Sequence, residues 1–150
     1  MDYKKILWQV TAFTLGHSIT LALATLKLVE VNTTWVEFLI PCTILFSAIF
    51  NLVKTKKRYR YWLVAVFGLI HGLGFSNYLQ SLLGAESSIF APLLAFNLGL
   101  ELGQILVVSL VLIFTTISSH VFHWKQKTTI AVLSGITIGL VLPMIIERWP

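Results

Sequence analysis

Five runs of mostly apolar residues, each about the length of a membrane span and parted by short charged connectors, constrain this chain more than any other feature. The hydrocarbon layer of a bilayer is ~30 Å thick and each helical residue rises ~1.5 Å, so a crossing needs about 20 residues. The runs at 6–29, 33–53, 61–83, 89–118 and 129–149 all reach that length. With 57% hydrophobic and only 11% charged residues, a chain of 150 cannot enclose its apolar side chains in water. The pattern predicts an all-α integral membrane bundle of five transmembrane helices, one domain over residues 1–150. Lys4 and Lys5 ahead of the first run resemble a secretory signal. That run is long, carries Gln9, Thr14, His17 and Ser18, and precedes no small-x-small cleavage site, so it reads as a retained helix. Thr33 and Thr34 are candidate caps for the second helix, and Ser87 and Ser88 for the fourth, with Pro92 in its first turn. Gly84 is the expected stop of the third.

Charge sets the orientation. Nine of the 11 Lys and Arg residues fall before the first run, in 54–60 or in 119–128, against Lys27 and Arg148 on the other side. Positive residues stay inside, which places the N-terminus in the cytoplasm and the C-terminus outside. All five tryptophans (Trp8, Trp35, Trp62, Trp124, Trp149) fall at or just beyond a run's end, where an indole meets headgroups. The expected location is the bacterial cytoplasmic (inner) membrane. The net charge of +5 does not point to nucleic acid, because the basic residues lie between apolar runs rather than along a face. The single Cys42 excludes an intrachain disulfide and reads as a buried, inert residue. Asn51, Asn77 and Gln80, near helix ends, are expected to meet headgroups, and Glu86, His120 and His123 to be surface residues.

Ionisable groups at bilayer depth are costly and normally face a cavity or a partner. His17 lies ~16 Å and His71 ~15 Å in from the basic side, and Glu101 lies ~18 Å in from the other. The three therefore come to similar depth on three separate helices. Asn97, Glu101 and Gln104, at i, i+4 and i+7, share a helix face. Thr14 shares a face with His17. Gly68–Gly72, Gly99–Gly103 and Gly135–Gly139 have the small-xxx-small spacing that lets membrane helices approach closely. Phe-x-Leu-x-His occurs at 13–17 and again at 67–71, an echo that a duplication would explain but that chance explains more readily.

Imidazole, carboxylate and amide oxygen are donors for a borderline divalent ion such as Ni²⁺, Zn²⁺ or Cu²⁺. The candidate ligands are His17, His71, Glu101 and Asn97, with Gln104 and Thr14 in support and Glu37 at a possible outer vestibule. Two other classes fit the same residues. In one, an intramembrane enzyme uses the metal to activate water, although no HExxH pairing is present. In the other, an accessory subunit uses the polar cluster only to fix helix packing. Five helices leave little room for a pore, so a homo-oligomer or a partner membrane subunit is expected.

The segments FTLGHSITLAL (13–23), FGLIHGLGFSN (67–77) and FNLGLELGQ (96–104), with Val36-Glu37 opening the second helix, resemble the HupE/UreJ family of membrane proteins. The resemblance covers roughly residues 8–108. It implies a nickel or cobalt permease or metal-delivery protein and picks out His17, His71, Asn97, Glu101 and Gln104. Longer relatives carry a preceding helical segment with an Asp-His pair in a GxDH-like motif that has no counterpart here. If that pair belongs to the ligand set, the resemblance implies either that a second copy or a partner completes the site or that this shorter branch does something other than nickel permeation.

Overall fold

The computed structural model describes residues 3–53, 57–83 and 89–150. It is all-helical: α1 (Tyr3–Thr25), α2 (Thr33–Leu52), α3 (Lys57–Leu83), α4 (Phe90–His120) and α5 (Gln126–Glu147). All five contain stretches long and apolar enough to cross a membrane, as the five runs required. The expected stop at Gly84, the Ser87/Ser88 cap and Glu86 lie outside the described residues, as does the start of the basic 54–60 connector. Of the five indoles, Trp8, Trp35, Trp62 and Trp149 are strongly exposed at helix ends.

Helix limits differ from the sequence reading for local reasons. α1 stops four residues early, at Thr25, without a glycine. Lys27 takes the left-handed conformation at φ 58°. Leu28 N–H then donates to Leu23 O at 2.9 Å and Lys27 N–H to Ala24 O at 3.0 Å. This is a Schellman closure with lysine in the usual glycine position. α2 is capped by Asn32, not by Thr33 or Thr34: the Asn32 side chain accepts from Trp35 N–H at 3.3 Å. Asn77 and Gln80, expected at headgroups, also bond to neighbouring helices. Asn77 Nδ2 donates to Thr33 Oγ1 at 2.8 Å and Gln80 Nε2 to Ala24 O at 3.0 Å, so both tie α3 to its neighbours.

The closest helix pairing is α1 with α3, followed by α2 with α5 and α2 with α3; α4 touches the others least. Glycine makes the α1–α3 contact possible. A Cβ on Gly72 would run into His17 O and Thr20 Oγ1, and one on Gly16 would sit 2.6 Å from Ala65 O. Thr20 Oγ1 uses the proximity to donate to Leu69 O at 2.7 Å across the interface. Gly68–Gly72 thus acts as the close-packing pair its spacing suggested, and Gly16, which that spacing did not flag, joins it. The other two pairs do not: Cβ atoms on Gly99, Gly103, Gly135 or Gly139 would meet nothing within 4 Å. The small apolar core, Leu21 and Leu79 with Ile89, Leu93 and Phe96 against them, joins α1, α3 and the start of α4.

Candidate metal centre

The α1–α3 contact brings two imidazoles together beside one aromatic ring. Phe13 stacks on His17 with centroids 6.1 Å apart and meets His71 edge-on at 5.3 Å. Gly16 and Gly72 flank them, so the histidines are held by backbone that cannot move apart without breaking the tightest interface in the molecule.

The two rings are held differently. His71 Nδ1 donates to Phe67 O, one helical turn back, at 2.8 Å. A carbonyl only accepts, so this bond places the neutral ring's proton on Nδ1 and leaves Nε2 with a free lone pair. Metal-binding histidines are oriented in the same way, by a hydrogen bond from the nitrogen that does not ligate. His17 is 0% exposed. It is enclosed by Phe13, by Phe96 stacked at 6.0 Å and by Phe75 tilted at 5.8 Å. Neither of its ring nitrogens has a hydrogen-bond partner among the described residues. A buried polar atom left unpaired costs about 1–3 kcal/mol, so an imidazole with two of them is poorly suited to a purely structural role.

Helix α4 is attached alongside through its amides. Ser18 Oγ lies 2.6 Å from Asn97 Oδ1 and 2.7 Å from Thr14 O, sharing its proton between them. Asn97 Nδ2 donates to Leu93 O at 2.9 Å, and Thr14 Oγ1 donates to Gln104 Oε1 at 2.9 Å. Asn97, Gln104 and Thr14 are therefore brought to the α1 side of α4, with Ser18 as a partner the sequence reading did not single out. Between α1, α3 and α4 lies a groove of about 590 Å³, lined by Gln9, Phe13, Gly99, Gly103, Gln104 and Val107 among others. Phe13 forms both its wall and the cover of the imidazoles.

Glu101 is not brought to the pair. It is exposed, and among the described residues no group of three or more His, Cys, Asp or Glu side chains could hold a metal ion. Within one chain the convergence of three ionisable residues reduces to two imidazoles. The 3.6-residue period explains why: Glu101 lies about 40° around the helix from Asn97 and about 60° from Gln104, enough to leave the contact face. Glu37 is exposed in an opening of about 320 Å³ shared with Thr33, Thr34, Glu147, Arg148 and Trp149, and neither histidine lines it. Cys42 is half-buried on α2. The residues the sequence reading missed are the cage rings Phe75 and Phe96 and the carbonyl of Phe67. Their signal was aromatic spacing around the histidines: Phe13 and Phe67 each precede a histidine by four residues, and Phe75 follows His71 by four.

Five helices long and apolar enough to span a membrane, with a buried His17 and a half-buried His71 between two glycine-packed helices, define a polytopic membrane protein with a candidate cation site. Its sequence matches the HupE / UreJ protein family over residues 1–148, and the chain belongs to that family. The match extends past the three motifs at both ends and takes in α5. The family is associated with nickel and cobalt handling. Comparison with curated proteins and with solved structures gave no match.

Proposed function

We propose that this chain is a membrane permease or metal-binding protein for a divalent transition-metal ion of the nickel type, with the His17–His71 pair as its ion site. The observation that carries this reading is His17 itself, wholly buried with both ring nitrogens unpartnered among the described residues, beside a histidine whose Nδ1 is engaged. Imidazole suits Ni²⁺, Co²⁺, Zn²⁺ and Cu²⁺, whereas the absence of a thiolate beside the pair disfavours soft ions. His17 and the Nε2 of His71 supply two donors. Asn97 and Gln104 supply amide oxygens from α4 once their hydrogen bonds to Ser18 and Thr14 rearrange, and water fills what remains. In this reading the basic end of the bundle faces the cytoplasm of a bacterial cell, and the Glu37 opening faces outward.

Isothermal titration of the purified protein with Ni²⁺, Co²⁺ and Zn²⁺ tests it. Wild type should bind one ion. His17→Gln and His71→Gln should each weaken binding by at least about a hundredfold, above the loss seen for outer-shell partners. Affinity should also fall as pH drops, because an imidazole must be neutral to ligate. Wild-type affinity in both variants would remove the site.

A further inference from the structure

Helix α4 leaves an entire face uncovered, and that face has a pattern. Leu94, Leu98, Glu101 and Ile105 follow one another at steps of four, three and four residues, the spacing of a heptad seam. The three apolar members are 50%, 53% and 52% exposed, and Glu101 is exposed between them. Glu101 lies ~18 Å into the membrane by helix rise, and among the described residues it has no hydrogen bond or ion pair. Asn97 and Gln104, which could have answered it, are turned toward Ser18 and Thr14. A carboxyl facing acyl chains at that depth costs several kcal/mol. An apolar seam interrupted by one such group asks for a partner with a polar group at matching depth.

From this pattern we infer that two copies of the chain dimerise through α4, in parallel about an axis along the membrane normal, with their Glu101 side chains meeting across it. Every copy inserted by the same charge distribution has the same orientation. A rotation about the normal therefore carries Glu101 onto Glu101 at its own depth, a match an unrelated helix would reach only by coincidence. One polar residue in an otherwise apolar seam also fixes register and copy number. The inference rests on α4 alone and is independent of whether the histidine pair binds an ion.

Because Cys42 is the single cysteine, a Cys42→Ser background allows single-cysteine cross-linking in native membranes. Leu98→Cys and Ile105→Cys should form covalent dimers about tenfold more readily than Leu15→Cys or Ile49→Cys, which are comparably exposed on α1 and α2. Adding Glu101→Leu to Leu98→Cys should lower the yield about tenfold, whereas Glu101→Gln, which still hydrogen-bonds across the axis, should keep most of it. Leucine on a lipid-facing position does not endanger the fold, so loss of cross-linking reports the interface. No preference for the α4 positions, or an undiminished yield with Glu101→Leu, would overturn the inference.

Discussion

The α1–α3 pair and helix α4 are built on opposite terms. In the first, backbone meets backbone: glycines at 16, 68 and 72 admit the neighbouring helix, and Thr20 reaches across to Leu69 O. In the second, glycines at 99 and 103 meet nothing, and the helix is attached by Leu93 and Phe96 and two side-chain hydrogen bonds. The same GxxxG spacing thus serves as a packing device in one place and borders an open groove in the other. In lipid no hydrophobic force drives helices together, so close backbone contact and polar contacts decide which pair is rigid. The histidines sit on the rigid pair, and the amides on the loose helix. An ion site made from both would have fixed nitrogen donors and movable oxygen donors.

A matched pair of substitutions tests that contrast. Gly72→Ala places a methyl against the His17 carbonyl, which cannot rotate away, and should cost ~3 kcal/mol, the upper end of overpacking. Gly103→Ala meets empty space and should be neutral or stabilising by up to ~1 kcal/mol through helix propensity. Unfolding in mixed detergent reads both, and equal costs would mean that the two interfaces are alike. Next come the hydrogen bonds. Thr20→Val should cost ~1 kcal/mol, because it removes a hydrogen bond across the tight interface. Ser18→Ala should cost only ~0.6 kcal/mol, because α4 can readjust around Asn97. A larger loss for Ser18→Ala would show α4 to be as rigid as α3.

The fold was legible in the sequence because a bilayer dictates helix length and puts tryptophans at the ends. Helix ends were less so. The stop of α1 depends on Lys27 taking a left-handed conformation that carries no sequence mark, and Asn32 caps α2 from one residue ahead of the threonines that looked suited to it. Of the site, the His17–His71 pairing was legible from depth and from Gly68–Gly72. The position of Glu101 was not, because helical periodicity says which residues are neighbours on a face and not how far a partner helix covers it. A reading of the polar cluster as helix glue holds for the amides and hydroxyls, which do bond across helices. It finds no support in the His17 ring, whose nitrogens bond to none of the described residues.

The most direct measurement is the unfolding free energy of wild type and His17→Leu, each without metal and with Ni²⁺ at about a hundred times its dissociation constant. If His17 is kept for an ion, leucine removes two unpaired polar atoms, and the metal-free variant should be as stable as wild type or more so by about 1 kcal/mol. Nickel should then stabilise wild type by ~2.7 kcal/mol and leave His17→Leu unchanged. A metal-free variant clearly less stable than wild type, together with no nickel shift in wild type, would make His17 a structural residue and contradict the account.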